Sequence, residues 1–283
     1  MEPVTVTDRP ERTVSIRLAL EDVVMTESRY TAGERGPDPH VHKLHADCFY
    51  VLEGAFTLSL DDGDRVLGPG TFALVPPNVV HAFRNDGSGE MRFLNIHAPG
   101  MGFDRYVQEI GGTGDAFRAE LAARYDQHPP PEDGGLDPAS VIVRTADTDA
   151  VGVSGTRIGF LANADEALDA MGLIEYKAPP SFPGPPPHVH GRTWDAYYVL
   201  QGRLALMLGD ERRELGPGDV AAVPPGTAHG FANPLDTPTR FLDIHAPGGF
   251  ERYFREVAAA LGDGPLDPAA MAQIASRYDV RPA

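Results

Sequence analysis

One block of this sequence occurs twice in a fixed register, and that constrains the fold more than any other feature. His40-Val41-His42, Asp47, Gly54, Gly70, Pro76, His81 and Asn85 return as His188-Val189-His190, Asp195, Gly202, Gly218, Pro224, His229 and Asn233, each residue 148 positions further on. A constant offset leaves no room for insertion or deletion inside the block. The flanks follow: Phe93-Leu94-Asn95-Ile96-His97-Ala98-Pro99-Gly100 answers Phe241-Leu242-Asp243-Ile244-His245-Ala246-Pro247-Gly248, and Arg124-Tyr125-Asp126 answers Arg277-Tyr278-Asp279 after slight drift. So long a period excludes a solenoid and implies two tandem domains of one fold. The stretch His128 to Gly135, rich in Pro and then Gly, reads as the linker, dividing the chain into residues 1–133 and 134–283.

Within each block the pattern is that of many short strands. Cys48-Phe49-Tyr50-Val51-Leu52 is β-branched and aromatic and stops at Glu53-Gly54. Asp61-Asp62-Gly63-Asp64 signals a hairpin, and Gly68-Pro69-Gly70 and Pro76-Pro77-Asn78 turn the chain on either side of Thr71 to Val75. Closely spaced turns between such runs predict an all-β sandwich or barrel. After each β block the apolar period changes to that of a helix: Phe103 to Ile110 and Ala116 to Tyr125 in the first copy, Phe250 to Leu261 in the second, with Asp267-Pro268 as a helix start. The segment from Val141 to Ala178, which leads into the second block, shows little likeness to its counterpart.

Composition narrows the classes of partner. With 24 Lys and Arg against 41 Asp and Glu, the net charge of −17 repels nucleic acid and anionic membrane alike. One cysteine, Cys48, forms no internal disulfide, and no run approaches the length of a membrane span. Met1 to Pro10 lacks the apolar segment of a signal peptide, so a cytoplasmic protein is expected.

The chemistry lies in the repeated His and Asp. Residues two apart on a strand share a face, so His40 and His42 point the same way, and Asp47 opens the next strand. His81 begins a later one. If the strands close into a barrel, their inward faces bring three imidazoles and one carboxylate together in each domain: His40, His42, His81 with Asp47, and His188, His190, His229 with Asp195. Such a set suits a divalent transition metal, one per domain, and Fe, Mn, Ni, Cu, Co and Zn all remain open. The lack of thiolates argues against structural zinc, and fewer than six protein ligands leave room for water or substrate.

At these residues the chain resembles a bicupin, two jelly-roll cupin barrels in one polypeptide. The cupin first motif runs His-x-His, Glu, Gly, and the second runs Gly, Pro-x-Gly, His, Asn. Gly218 to Asn233 fit the second motif fully, and the first copy carries Asn78 where Gly is usual. The chain is most similar to quercetin 2,3-dioxygenase-like cupins, which often carry a segment like Pro247-Gly248-Gly249-Phe250-Glu251. Two departures stand out. The family's early Gly before the first His is absent, and its Glu is replaced by Asp47 and Asp195. The shorter Asp can ligate after a backbone shift, act through a water, or stand off as a base.

The resemblance implies a metal-dependent dioxygenase acting on an aromatic or enolic small molecule, with the His triads as ligands and Asp47 and Asp195 as ligands or catalytic groups. A decarboxylase, cyclase or isomerase on the same scaffold, or a small-molecule-binding cupin without catalysis, are the alternatives, and a homodimer is compatible with any of them. For each cluster the plainer reading is a polar barrel interior without metal. His45 is expected at the surface or rim, and His97 and His245 are expected to bond to the Ala-Pro-Gly turn that follows each. Phe49, Phe83, Tyr197 and Phe231 either grip an aromatic substrate or fill the core. Cys48 and Trp194 read as packing residues on the opposite face, and the helix from Phe250 as a solvated amphipathic surface.

Overall fold

The computed structural model describes residues 3–111, 115–261 and 268–283. It divides into two compact units, Glu2–Thr145 and Ala146–Ala283. The first contains β1 (Val4–Asp8), β2 (Arg12–Ala19), β3 (Val24–Tyr30), β4 (Ala46–Glu53), β5 (Phe56–Leu60), β6 (Gly63–Leu67), β7 (Thr71–Val75), β8 (His81–Arg84), β9 (Met91–Ala98), α1 (Phe103–Ile110), α2 (Asp115–Arg124) and β10 (Ile142–Thr145). The second contains β11 (Ala150–Val153), β12 (Thr156–Ala162), β13 (Gly172–Ala178), β14 (His188–Val189), β15 (Trp194–Gln201), β16 (Leu204–Leu208), β17 (Glu211–Leu215), β18 (Val220–Val223), β19 (His229–Ala232), β20 (Thr239–Ala246), α3 (Glu251–Leu261), α4 (Pro268–Ala275) and β21 (Arg281–Pro282). Asp267, expected to start the last helix, lies outside the described residues.

Each unit is a jelly-roll sandwich of two antiparallel sheets. In the first the strand orders are β1-β2-β3-β9-β4-β7-β10 and β6-β5-β8; in the second, β11-β12-β13-β20-β15-β18 and β17-β16-β19-β14-β21. The fold is therefore the expected one, but among the described residues the strands do not join into a continuous hydrogen-bonded cylinder. The β6-β5-β8 sheet of the first unit is bridged to neighbouring segments by isolated pairs such as Arg35–Arg84 and His40–His81.

The cores lie between the sheets. Phe49, Val51, Phe56, Leu58, Phe83 and Phe93 come from both layers of the first unit and pack as one cluster. Phe49 and Phe56 rings lie 4.8 Å apart, and Phe83 and Phe93 5.3 Å, in the tilted and edge-on geometries that aromatic pairs prefer. Tyr197, Phe231 and Phe241 hold the same place in the second unit. Phe49, Phe83, Tyr197 and Phe231 are thus core residues, and Cys48 is fully buried as expected of a small apolar side chain.

The two units share more register than their sequences show. β3 pairs β9 with Glu27 opposite Leu94, and β13 pairs β20 with Glu175 opposite Leu242, the same offset of 148. The ion pairs Arg92–Glu27 at 2.7 Å and Arg240–Glu175 at 2.6 Å repeat with them. The leading segment of the second unit is therefore equivalent to that of the first in pairing, while its composition has drifted.

The stretch after residue 127 does not behave as a free linker. His128 exchanges both backbone hydrogen bonds with Val41, and Leu136 N–H donates to Asn78 O at 2.7 Å. β10 then adds to the edge of β7, and the compact units part after Thr145. In the second unit β21 repeats the docking, with Arg281 opposite Val189. The helical tails thus return the chain to clamp the His-x-His segments. Asn78, where the second copy has Gly226, takes φ 66° against φ 83°: both sit in the left-handed region that Gly and Asn tolerate best. No helix among the described residues is long and apolar enough to cross a membrane.

Candidate metal centres

In each unit the His-x-His segment runs antiparallel to the strand that carries the third His. His40 and His81 exchange backbone hydrogen bonds, which brings their rings to 4.4 Å between centroids. His188 is paired with His229 in the β14–β19 ladder, with rings at 4.3 Å. Asp47 and Asp195 enter from the other sheet, on β4 and β15, where they sit opposite His97 and His245 on β9 and β20. The outcome is two clusters: His40, His42, Asp47 and His81, and His188, His190, Asp195 and His229. In each, one donor atom per residue lies within 4.8 Å of all the others. Every member is buried except His188, which is half-buried and leaves the second cluster the more open.

All six imidazoles are oriented by the same device. Nδ1 donates to a backbone carbonyl: His40 to Asp38 at 2.8 Å, His42 to Asp126 at 2.8 Å, His81 to Val79 at 2.9 Å, His188 to Pro186 at 3.1 Å, His229 to Thr227 at 3.0 Å, and His190 to Asp279. A proton fixed on Nδ1 leaves the Nε2 lone pair of a neutral ring facing the cluster. Burial, with His81 and His42 beside it, holds the His40 imidazole well below its ordinary pKa; burial, with His229 and His190 beside it, brings His188 down to about 4.

These lone pairs meet a carboxylate. His81 Nε2 lies 3.2 Å from Asp47 Oδ2, and His229 Nε2 lies 2.7 Å from Asp195 Oδ2. Burial works against charge on both acids, but the imidazoles outweigh it, His97 first for Asp47 and His245 first for Asp195, and hold both carboxyls well below the usual range. His42 Nε2 and His190 Nε2 have no hydrogen-bond partner among the described residues. Acceptors set against acceptors at the centre of a buried cluster are what a cation resolves, so the residues fit a transition-metal ion.

The surroundings of the two clusters differ. In the first, Asn95 donates through Nδ2 to Asp47 Oδ1, so both oxygens of Asp47 are engaged. In the second the same position is Asp243, and neither Asp195 Oδ1 nor Asp243 Oδ1 finds a partner among the described residues. Burial and the adjacent Asp195 push the Asp243 carboxyl well above its ordinary range, so of the two acids it is the one that holds a proton more readily. Tyr197 O–H donates to Asp195 Oδ2 at 3.2 Å, where the first unit has the apolar Phe49.

Several neighbours were not legible as site residues. His45 is not at the rim but fully buried, with Nδ1 2.9 Å from Asp126 Oδ2. His97 does not bond to the turn that follows it; its Nδ1 lies 2.7 Å from His45 Nε2 and its Nε2 3.1 Å from Asn95 Oδ1. His245 Nε2 is 3.6 Å from Asp195 Oδ1, and burial first among the causes lowers its pKa to about 4. Phe103, at the start of α1, stacks on His97 at 3.5 Å, and Phe250, just before α3, lies 4.6 Å from His190 and 4.8 Å from His245. The second tail is thus not only a solvated surface: Phe250 and Val257 are buried, and Glu251 caps Gly249 N–H at 2.8 Å.

The clamps are Asp126 and Asp279. The Asp126 carboxylate accepts from Lys43 N–H at 3.0 Å and Leu44 N–H at 2.7 Å, while its carbonyl holds His42. Asp279 accepts from Gly191, Arg192 and Thr193 N–H at 2.8, 2.7 and 2.9 Å. The repeated Arg-Tyr-Asp triplet was the sequence signal for this pair. The motif residues Asn85 and Asn233 are loop braces, bonded to Gly89 O and Thr237 O, and lie outside both clusters.

The cupin domain family matches this chain twice, over residues 26–97 and 175–245. Quercetin 2,3-dioxygenase of Bacillus subtilis is 34% identical over 107 residues, a match covering 37% of this chain and 31% of that protein. Quercetin 2,3-dioxygenase of Aspergillus japonicus is 26% identical over 249 residues, covering 66% of this chain and 69% of that protein. The chain therefore spans less than a third of the first relative and about two thirds of the second. Among solved structures, oxalate decarboxylase of Bacillus subtilis superposes with a TM-score of 0.59 at 14% identity, over 100% of this chain and 87% of that one, which shows a shared fold.

Proposed function

The chain belongs to the cupin family, with two cupin domains in tandem, and on that footing we propose that it is a metal-dependent dioxygenase of the quercetinase type, acting on an aromatic or enolic small molecule. The observation that carries the proposal is the set of Nε2 lone pairs, each fixed by a backbone carbonyl at Nδ1, turned on one carboxylate in each unit. His40, His42, Asp47 and His81, and His188, His190, Asp195 and His229, would hold one ion each. When bound, the metal supplies a Lewis-acid or redox centre for an oxygen atom of the substrate.

The chain's own residues then divide the work. The backbone carbonyls keep the ligand rings neutral and aimed. Asp47, with both oxygens engaged, suits ligation only. Asp195 would help hold the ion, and its Oδ1, without a partner among the described residues, would accept the proton of a substrate hydroxyl, with Asp243 and Tyr197 beside it. The second cluster, half-open at His188, is therefore the proposed catalytic one.

Elemental analysis of purified protein tests the metal, with His42→Ala and His190→Ala beside the unaltered chain. About two equivalents of one transition metal are expected, with about one lost in each variant. Oxygen consumption with a flavonol and catechol panel tests the reaction. Metal without oxygen consumption would overturn the dioxygenase reading and favour the alternative, a decarboxylase or isomerase. That alternative draws on the acid pair Asp195–Asp243, which suits returning a proton to carbon, and would show carbon dioxide release or rearrangement without oxygen loss.

A further inference from the structure

We propose that His42, His45 and His97 form a second metal position in the first unit, sharing His42 with the four-residue cluster, so that one ion occupies one position or the other. Their donor atoms lie within 4.8 Å of one another, and all three side chains are buried.

The hydrogen bonds around the three rings fix where each proton sits. His42 Nδ1 donates to Asp126 O. His45 Nδ1 donates to the Asp126 carboxylate. Asn95 spends its Nδ2 on Asp47 Oδ1 and Cys48 O, both acceptors, so its Oδ1 is what faces His97, and His97 Nε2 must donate to it. The remaining nitrogens, His42 Nε2, His45 Nε2 and His97 Nδ1, are then all lone pairs. Two of them, on His45 and His97, stand 2.7 Å apart, and the third has no partner among the described residues.

Neutral rings cannot hold two lone pairs at that distance unaided, so something positive belongs between them. A single proton would satisfy His45 and His97 and would leave His42 Nε2 to the four-residue cluster. A metal ion satisfies all three. The donor set, three imidazoles and no carboxylate, suits ions that favour nitrogen, Zn and Cu above all, in contrast to the mixed set with Asp47. Asp126 and Asn95 supply the outer hydrogen bonds that ligating imidazoles require.

Among the described residues this position belongs to the first unit alone. At the place of His45 the second unit has Thr193, whose Oγ1 donates to Asp279 at 2.9 Å. An imidazole Nε2 has one lone pair, so His42 serves one ion at a time. The geometry thus gives the first unit two places for an ion, one with a carboxylate and one without. The inference does not depend on any oxidative activity of the protein.

The test is cobalt binding to the full chain, read by visible absorption and by elemental analysis. The second cluster is silenced by His188→Ala and His229→Ala, and His40→Ala with His81→Ala then removes two ligands unique to the four-residue cluster. This carrier is expected to keep about one equivalent of Co2+, and to lose at least tenfold in affinity on adding either His45→Thr or His97→Gln. No binding by the carrier, or binding indifferent to both substitutions, would overturn the proposal and leave the His45–His97 contact to a proton. Circular dichroism melting verifies the fold, and where the alanine pair is unfolded, His40→Gln with His81→Gln takes its place. Failure of the proposed function is separately visible, since the unaltered chain would then bind metal without consuming oxygen, whatever the carrier does with Co2+.

Discussion

Asp243 stands beside Asp195 in the second unit where Asn95 donates to Asp47 in the first, and this one exchange changes the chemistry of an otherwise repeated cluster. An amide neutralises nothing but satisfies an oxygen. A second carboxyl leaves that oxygen unsatisfied and must itself take a proton to stay buried.

The stability of the metal-free protein should report that proton. Burial and Asp195 raise the folded pKa of Asp243 above the unfolded value of 3.8. Below 3.8 both states are protonated and the group contributes no difference. As pH rises, the unfolded chain ionises while the fold keeps its proton, so stability falls until the folded pKa is passed. Asp243→Asn removes this loss and gives Asp195 the donor that Asp47 has. The variant should be more stable at pH 7 by about 1–3 kcal/mol, and the gain should shrink towards pH 4. Equal melting of variant and parent at pH 7 would count against the assignment.

Asp126 and Asp279 carry the opposite sign. Burial alone would raise the Asp126 carboxyl, but His45 and the Leu44 and Lys43 amides hold it below its ordinary value. Its stabilisation is complete above the unfolded pKa and is lost as pH falls through the folded one. Asp126→Ala, which strands two backbone donors, should cost about 2 kcal/mol at pH 7 and less in acid. The lost carboxylate also anchors the turn that sets His42 against the Asp126 carbonyl, so metal affinity of the first unit should fall by about 10–100-fold. Asp279→Ala should do the same to the second unit only, and metal titration of the two variants separates them.

These contrasts show what could be read from sequence. The eight cluster residues were legible because a constant offset forces equal spacing, and equal spacing on paired strands brings equal residues together. Burial of His45 was not, since a residue in a turn is ordinarily at the surface, and only Asp126, 81 positions away, makes it interior. Nor was the role of the helical tail, whose return to Val41 is set by tertiary docking and leaves no local period. The exchange of Asn95 for Asp243 was visible as a difference, but strand alternation alone could not say that it faced the cluster. Nor could the sequence say which sheet edges meet: β5, β6 and β8 form a sheet of their own, and the strands of the first unit do not close into one cylinder among the described residues.

Phe250 tests the tail from the other side. It is 7% exposed and packs edge-on against His190 while leaning on His245. Phe250→Ala should destabilise the protein by about 3 kcal/mol through the cavity it leaves, seen as a shifted midpoint in urea. It should also weaken metal binding in the second unit, because His190 loses the surface that restricts its ring. A midpoint shift with unchanged metal affinity would confine Phe250 to packing.

Metal removal gives the most direct reading of the opposed lone pairs. In the metal-free protein a proton must stand between Nε2 and the carboxylate in each cluster, as between His229 and Asp195 at 2.7 Å, and an ion replaces it. An ion that binds only the folded chain stabilises it by about 2.7 kcal/mol when present at a hundred times its dissociation constant. Dialysis against a chelator should therefore lower the melting temperature, and returning the metal should restore it. The double variant His42→Ala with His190→Ala, which removes the partnerless Nε2 from each cluster, should lose most of this response. If its melting point rises as much as the parent's on adding metal, the ion is bound elsewhere, and the lone-pair account of both clusters fails.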